Sequence, residues 1–279
     1  MRREYALVDV FTLRPFGGNS LAVFTDGSGL DDATMQRIAN ELHHSETTFV
    51  LPPAQGGDRR LRIFTPLREL PFAGHPTVGT AWVLAAGRDA ALTLELVVGP
   101  LRVTVRDGFV EMAQPLPEFG EVTVDRLEMA RALSLEISDV VPGAPVQVVS
   151  SGVPFRFVRL RDRAAVERAR PTASPLVDHA YVFTTDTVDP AAAVHGRMFG
   201  SGSSEDPATG SAQGPLGAYL VRNAIVAAAP EVRFRSEQGF LMGRPSILDV
   251  RLTMAESAIT AVHVGGHVVP MGGGWIDLP

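Results

Sequence analysis

A seven-residue pattern occurs twice in this chain, at positions about half of its length apart. Residues 75–81 (HPTVGTA) match residues 206–212 (DPATGSA), at an offset of 131 residues in a chain of 279. The tripeptide Arg-x-Phe stands upstream of both copies, at Arg62 and at Arg197. A repeat of this period predicts two similar domains, each with an extended segment, a loop and a helix that begins at the proline.

The segment after each proline predicts an unusual helix. Residues 77–86 and 212–221 are apolar on almost every side of a helical projection, and a helix of this kind is buried all round. Short strand patterns fill most of the remaining chain, without a regular alternation of strand and helix. The sequence therefore predicts an α+β protein of two pseudo-symmetric domains, each with strands wrapped around a central apolar helix.

A proline-rich segment suggests where the domains meet. Residues 114–120 (QPLPEFG) are typical of a linker. We therefore expect a first domain at 1–118, completed by C-terminal strands at about 265–279, and a second domain at 119–264. Within the second domain we expect a helix at 124–133 and a polar loop at 200–205. The tail, residues 232–276, is expected to form short strands, with a turn at Gly272–Gly274.

The start of each repeated helix is a candidate site. Small residues after the proline leave the first-turn amides accessible, and such amides attract anions. Asp206 is expected to act as a helix N-cap. If the two helix N-termini face each other across the domain interface, a small anionic ligand would lie in the cleft, with His75 on one side and Asp206 on the other. Taken singly, Asp206 is more often a simple cap, and a histidine before proline is more often an ordinary turn residue.

Composition excludes several kinds of chemistry. The chain has no cysteine, and all 25 of its basic residues are arginine. Thiolate nucleophiles, two-thiol racemases and cysteine-based metal sites are therefore excluded, as are lysine Schiff bases and P-loop lysines. A net charge of −6 argues against nucleic acid or an anionic membrane as the main partner. The absence of a long apolar stretch or of a signal-peptide pattern leads us to expect a cytoplasmic protein.

Residues 69–81 (ELPFAGHPTVGTA) resemble the signature of the PhzF-like phenazine-biosynthesis isomerase family. Further segments match the family in order, from about Tyr5 to Trp275: Asp9-Val10-Phe11, Gly18-Asn19, Ser45-Glu46-Thr47, residues 205–212 (EDPATGSA) and Glu237-Gln238-Gly239. The resemblance implies a fold similar to that of diaminopimelate epimerase, in which each domain is a barrel-like sheet around a central helix. Because the chain lacks cysteine, the resemblance points to the isomerase branch rather than to the two-thiol epimerases.

The resemblance also implies an activity. The family prototype isomerises trans-2,3-dihydro-3-hydroxyanthranilate to a ketone by moving a hydrogen, with a glutamate as acid and base. The resemblance also implies a homodimer that needs no metal or organic cofactor. The expected partners are therefore a small anionic substrate and a second copy of the chain.

Residue roles follow from the matched motifs. The resemblance implies that Glu46 is the acid/base and that His75, Asp206 and Ser211 are the other catalytic residues. It further implies that Gly74, Gly210 and Ser211 offer donors to the substrate carboxylate, with Asn19 as another binding residue. The family often has Gly-Asn-Pro where this chain has Gly18-Asn19-Ser20, which leaves the shape of that turn open. Strand alternation predicts that Glu46 faces away from Phe49 and Leu51.

Other functions have less support in the sequence. Ser211 lacks the Gly-x-Ser-x-Gly context of a hydrolase nucleophile. The pairs His43–His44 and His263–His267 could suggest a metal, but adjacent histidines do not easily face one ion, and the second pair has no acidic residue nearby; we expect no metal site. Two alternatives stay open: a non-catalytic small-anion binder on the same fold, and an isomerase or lyase of a different unsaturated acid.

Overall fold

A computed structural model describes residues 1–122, 125–200 and 204–278. These fall into two compact units, residues 1–113 with 265–279, and residues 114–264. The strands of the first unit are β1 (Arg2–Val10), β2 (Asn19–Phe24), β3 (Glu46–Leu51), β4 (Arg59–Phe64), β5 (Glu69–Leu70), β6 (Ala90–Leu96), β7 (Gly99–Arg106) and β8 (Phe109–Gln114). Its helices are α1 (Asp32–Leu42) and α2 (Gly74–Ala85).

The second unit has a similar set of elements. Its strands are β9 (Glu118–Val122), β10 (Gln147–Ser150), β11 (Pro154–Arg159), β12 (Ala180–Thr184), β13 (Val194–Phe199), β14 (Glu205–Asp206), β15 (Glu231–Gln238) and β16 (Ser246–Ala255), and β17 (Ala258–Asp277) runs on into the first unit. Its helices are α3 (Arg126–Ala132), α4 (Arg163–Arg168) and α5 (Gly210–Arg222). Short 3-10 turns lie at Ile137–Asp139, Pro175–Val177 and Phe240–Met242.

Eight strands of the first unit close into a barrel. β1 pairs antiparallel with β2, β2 parallel with β3, β3 antiparallel with β4 and β4 parallel with β6. β6, β7 and β8 then follow as antiparallel neighbours. β8 pairs with β17, which pairs antiparallel with β1 and completes the ring. The mixed pairing confirms the predicted α+β class.

Helix α2 forms the core of this barrel. Every residue from Gly74 to Ala81 is buried, and the helix packs against β1, β2, β3, β6 and β7. A Cβ atom at Gly79 would lie 2.6 Å from Leu21 Cδ2 and 2.7 Å from Val10 Cγ2. The glycine therefore lets the helix approach the strands more closely than alanine would, and the predicted central apolar helix is confirmed.

The second unit repeats the strand pairing of the first. β10 pairs antiparallel with β11, β11 parallel with β12, β12 antiparallel with β13, β13 parallel with β15 and β15 antiparallel with β16. This is the order of β1, β2, β3, β4, β6 and β7. Helix α5 is buried from Gly210 to Leu220 and packs against β10, β11 and β16. The repeat seen in seven residues thus extends over most of each unit.

The repeated Arg-x-Phe tripeptide has the same structural role in both units. Arg62 on β4 forms an ion pair at 2.6 Å with Glu69 on β5, and its guanidinium lies 5.0 Å from the Phe64 ring centroid. Arg197 on β13 forms the equivalent pair with Glu205 at 2.8 Å and lies over the ring of Phe199. In each unit the arginine fastens the short strand that leads to the buried helix.

The starts of the two buried helices differ from the prediction. α2 begins at Gly74, so Pro76 lies inside its first turn, where a missing N–H costs no helical hydrogen bond. α5 begins at Gly210 with Thr209 as its N-cap, so Pro207 precedes the helix. The predicted N-cap role of Asp206 is wrong, because this residue belongs to β14 and pairs with Met198.

Two further expectations are corrected by β-pairing. The segment at 114–120 is not simply a linker, since Gln114 ends β8 and β9 begins at Glu118 and pairs with β10. The glycines 272–274 do not form a turn, since they lie within β17 opposite Leu7, Ala6 and Tyr5. A Cβ atom at Gly273 would lie 2.4 Å from the Tyr5 carbonyl oxygen, so close strand approach explains the glycine.

Two expected elements extend beyond the residues that the structure describes. The helix expected at 124–133 spans Arg126–Ala132, and its expected start at Val124 lies outside the described residues. Residues 201–203 of the expected polar loop also lie outside them. Among the described residues, none of the helices has the length and apolar character needed to cross a membrane.

Candidate active site

Glu46 opens strand β3 and shares a strand face with residues that contact α2. The Thr48 hydroxyl oxygen lies 2.9 Å from that of Thr80 on α2. Phe49, on the other face, packs in a cluster with Met35 of α1. Strand alternation therefore places Glu46 on the α2 side, opposite Phe49, as predicted.

The Glu46 carboxylate contacts the His75 imidazole, whose other ring nitrogen contacts Asn19. Glu46 Oε2 lies 3.3 Å from His75 Nε2, and the two side chains are 15% and 4% exposed. His75 Nδ1 lies 3.1 Å from Asn19 Nδ2. Because an amide nitrogen donates, Nδ1 is the acceptor, and a neutral His75 then carries its proton on Nε2, towards Glu46. The three residues form a chain of polar contacts that ends at a carboxylate.

The position of Asn19 is fixed by the preceding loop. Gly18 has φ +60°, and a Cβ atom there would lie 2.1 Å from the Val10 carbonyl oxygen, so the turn requires glycine. The Asp9 carboxylate accepts a hydrogen bond from the Phe16 amide at 2.8 Å. The sequence match at Asp9 and Gly18 is therefore explained by the loop that delivers Asn19 to His75.

Ser20 replaces the proline of the family pattern, and the structure gives it a local contact. Its hydroxyl oxygen lies 3.2 Å from His44 Nδ1, and it pairs with Asp9 across the β1–β2 ladder. Ser20 therefore lies within the regular β1–β2 ladder. In the part of the chain that the structure describes, groups of three or more His, Cys, Asp or Glu residues suited to a metal ion are absent.

In the second unit, Asp206 is tied to the residue that caps α5. The Thr209 hydroxyl donates to Asp206 Oδ2 at 2.6 Å. Gly210 and Ser211 form the first turn of α5 directly after this contact, and Ser211 is 8% exposed. The structure thus brings Asp206 and Ser211 to one turn, as it brings Asn19, Glu46 and His75 together in the first unit. Gly74 stands beside His75 as the first residue of α2.

Two glutamines that are absent from the predicted set of site residues contact this turn. Gln238 accepts from the Thr209 amide at 3.1 Å and donates to the Asp206 carbonyl at 2.7 Å and the Thr209 hydroxyl at 2.9 Å. Gln114 donates to the Gly210 carbonyl at 2.9 Å. A signal for Gln238 existed, because it lies in the Glu237-Gln238-Gly239 motif. Gln114 lies in the proline-rich segment, where its sequence gives no such signal.

In each unit, the carboxylate of one buried glutamate accepts hydrogen bonds from the backbone amides of a loop. Glu95 accepts from the amides of Ala54, Gln55 and Gly57 at 2.6–2.7 Å, and these hydrogen bonds, that of Ala54 first, lower the pKa of Glu95. Glu237 plays the equivalent part in the second unit. Both glutamates thus have a structural role, since they hold the loops that precede β4 and β13.

Glu237 is also paired with a buried histidine. It accepts from the amides of Val188 and Asp189, and His195 Nδ1 lies 2.9 Å from its Oε2. Burial raises the pKa of Glu237, but the hydrogen bonds from His195 and from the two amides outweigh burial, so its pKa lies below its usual value. The Glu237 carboxylate is therefore held by three polar contacts, one to a buried imidazole and two to loop amides.

The barrel around a buried helix places the chain in a known fold class. A probable proline racemase from Agrobacterium radiobacter is similar over 99% of this chain and 93% of its own, with a TM-score of 0.66 at 12% identity, which indicates a common fold. The fold is that of the diaminopimelate epimerase-like proteins. A family model described as phenazine biosynthesis-like protein matches residues 8–274. The chain belongs to this family.

Individual relatives agree with this assignment. The chain is 38% identical to trans-2,3-dihydro-3-hydroxyanthranilate isomerase from Pseudomonas aeruginosa over 95% of both sequences. It is 38% identical to an uncharacterized isomerase from Mesorhizobium japonicum over 98% of both. The crystal structure of a PhzF-family phenazine biosynthesis protein from Bacillus anthracis covers 100% of both chains, with a TM-score of 0.90 at 28% identity. The enzyme class is therefore that of a PhzF-like isomerase.

Proposed function

We propose that this isomerase moves a proton within a small unsaturated amino or hydroxy acid, with trans-2,3-dihydro-3-hydroxyanthranilate as the first substrate to test. The observation that carries the proposal is the contact between Glu46 Oε2 and His75 Nε2, backed by Asn19. The 38% identity to an enzyme named for this substrate supports the choice.

Glu46 is the proposed acid and base. A proton shift between two carbons needs one group that takes the proton and then returns it, and a single carboxylate does both. In this proposal the Nε2–H of His75 donates to Glu46 and fixes the orientation of the carboxylate. Asn19 acts through His75, since it contacts the far side of the imidazole.

The second set of motif residues is proposed to serve the same reaction. Asp206 and Ser211 would bind or orient the polar groups of the substrate. The amides at Gly210 and Ser211 begin a helix, where backbone donors favour a carboxylate. Gly74 begins the equivalent helix of the first unit. The resemblance in sequence supports this assignment at each of these positions.

We further propose that the protein works as a cytoplasmic homodimer without a metal or organic cofactor, as the family resemblance implies. Light scattering of the purified protein is expected to give twice the molar mass of one chain. Dialysis against a chelator is expected to leave the turnover number unchanged. A monomer, or a loss of activity that added metal restores, would contradict the corresponding part.

The test is proton NMR of trans-2,3-dihydro-3-hydroxyanthranilate in D₂O with wild type and with Glu46→Gln. We expect wild type to convert the substrate and Glu46→Gln to lose turnover by at least about 100-fold, as removal of an acid/base group does, while it still binds. Glu41→Gln, on the exposed side of α1, is the matched control and should retain turnover. Binding without conversion by folded wild type would point to a small-anion binder, and conversion of other unsaturated acids would change the substrate.

A further inference from the structure

The Glu237-Gln238-Gly239 segment contains a side chain that the proposed function does not use. Gln238 is fully buried, and its amide group makes three hydrogen bonds to the turn before α5. Its oxygen accepts from the Thr209 amide, and its nitrogen donates to the Asp206 carbonyl and the Thr209 hydroxyl. Both amide protons are therefore used within one turn.

We propose that Gln238 is a positioning residue that holds Asp206 and Thr209 in the arrangement needed for substrate. The inference rests on the proposed function, because it gives Asp206 a role in the reaction. Gln238 acts through two routes. It fixes the Asp206 backbone directly, and it fixes the Thr209 hydroxyl, whose proton goes to Asp206 Oδ2 at 2.6 Å.

The neighbouring backbone is shaped to let Gln238 reach this turn. Gly239 has φ +79°, and a Cβ atom there would lie 2.5 Å from the Pro207 carbonyl oxygen. The Ser246 hydroxyl donates to that same oxygen at 2.9 Å. The ends of β15 and β16 are thus fastened to residues 206–207, which explains why glycine follows Gln238.

The first turn of α5 needs this support because the helix is interrupted near its start. Pro215 lies inside α5 and has no N–H to donate to the Ser211 carbonyl. One residue earlier, a Cβ atom at Gly214 would lie 2.3 Å from Gln114 Oε1, and Gln114 donates to the Gly210 carbonyl. Hydrogen bonds from side chains outside the helix therefore stabilise this first turn, where the helix itself lacks one backbone hydrogen bond.

A positioning role predicts which substitutions matter. Gln238→Leu removes all three hydrogen bonds, and Gln238→Glu keeps the size of the side chain but loses both amide donors. Thr209→Val removes the hydroxyl between Gln238 and Asp206, whereas Thr209→Ser keeps it. We expect the first three variants to lower kcat by about 10–100-fold, the range seen for residues that orient a functional group, with a smaller change in KM. Thr209→Ser is expected to stay within about threefold of wild type.

The matched control is Gln147, a buried glutamine of the same unit that donates to the Gly120 carbonyl at 2.7 Å. Gln147→Leu also removes a buried amide, and it is expected to leave kcat near that of wild type. A double-mutant cycle with Asp206→Asn then separates positioning from general damage. If Gln238 acts through Asp206, Gln238→Leu should lower kcat by less than threefold in the Asp206→Asn background.

A second measurement does not depend on turnover. Amide hydrogen exchange followed by NMR should be at least tenfold faster at Thr209 in Gln238→Leu, with little change in the middle of α5. Independent losses in the double-mutant cycle, or an unchanged Thr209 exchange rate, would overturn the inference. If wild type does not convert the test substrate, the proposed substrate fails, and the exchange rate at Thr209 alone decides whether Gln238 holds this turn.

Discussion

His75 Nδ1 lies 3.1 Å from Asn19 Nδ2, so the amide of Asn19 sets which imidazole nitrogen carries the proton. Asn19 is fully buried, and its amide contacts the imidazole of His75. The sequence match implies substrate binding for Asn19, and the structure places this residue in line with Glu46 through the imidazole of His75. The polar contacts of the first unit therefore run in the order Asn19, His75, Glu46.

This relationship predicts unequal effects of substitution. His75→Ala is expected to lower kcat by about 10²–10⁴-fold, since it removes the imidazole that contacts the Glu46 carboxylate. Asn19→Leu keeps the imidazole but removes the amide donor that favours the tautomer with its proton on Nε2. It should lower kcat by about 10–100-fold. Steady-state kinetics of the single and double variants test this. The double variant should be no slower than His75→Ala, and independent losses would show that Asn19 acts in another way.

The two Arg-x-Phe arginines differ in burial, which predicts that substituting them destabilises the protein by different amounts. Arg197 is 6% exposed and, besides Glu205, donates to the carbonyls of Val166 and Ala169. Arg62 also pairs with Asp32, whose side chain is 84% exposed. Arg197→Met leaves buried acceptors without a donor and is expected to cost about 3–5 kcal/mol. Arg62→Met should cost less, because water reaches its partners more easily.

Urea unfolding of both variants by circular dichroism measures this difference. A double variant in which Glu205→Gln accompanies Arg197→Met removes the uncompensated carboxylate, and it should recover part of the loss. Equal destabilisation by the two arginine substitutions would contradict the inference that burial sets the cost.

The sequence could predict what depends on local pattern. Both copies of the repeat place an all-apolar helix after a proline, and such a helix must be buried, so the central helix and the two-unit plan followed from few residues. Glu46 was also assigned to the correct strand face, because side-chain alternation does not depend on distant contacts.

What the sequence could not predict depends on contacts between distant residues. Asp206 and Thr209 are both suitable N-caps by type, and Gln238 selects Thr209 by accepting its amide 29 residues away in sequence. The glycines at 272–274 are typical of a turn, and their place in a strand depends on Tyr5, near the opposite end of the chain. A hydrogen bond to a side chain far along the chain leaves no mark in a local pattern.

Glycines in the two buried helices predict unequal costs for the same substitution. Gly79→Ala brings a Cβ atom within 2.6 Å of Leu21, so overpacking should cost about 1–3 kcal/mol. At Gly217 the nearest atoms lie 3.3 Å away, on Phe234, Val250 and Leu252. There the better helix propensity of alanine, up to about 1 kcal/mol, should offset most of the strain. Thermal unfolding of both variants tests this, and a similar loss in each would show that the two helices are packed equally tightly.

The buried pair of Glu237 and His195 predicts how stability depends on pH. The folded-state pKa of Glu237 is lowered from its usual value of 4.5. A lowered pKa means that the charged carboxylate stabilises the folded state above about pH 4.5, and that this contribution is lost as pH falls through the folded pKa. Glu237→Gln removes the charge and places an amide donor against one of the two loop amides, that of Val188 or that of Asp189, because these donate to different oxygens of Glu237. It should therefore cost about 3–5 kcal/mol at pH 7.

The pH course of that loss distinguishes the charge from the shape of the side chain. Urea unfolding at pH 7, 5 and 4 should show the same difference between wild type and Glu237→Gln at the two higher values, and a smaller difference at pH 4. The exposed Glu41→Gln should stay within about 0.5 kcal/mol of wild type throughout, as surface substitutions usually do. If the cost of Glu237→Gln does not fall with pH, the loop before β13 is held by packing rather than by the carboxylate. The hypothesis that the charge of Glu237 holds this loop would then be wrong. The same measurement on Glu95→Gln would show whether the equivalent glutamate of the first unit behaves in the same way.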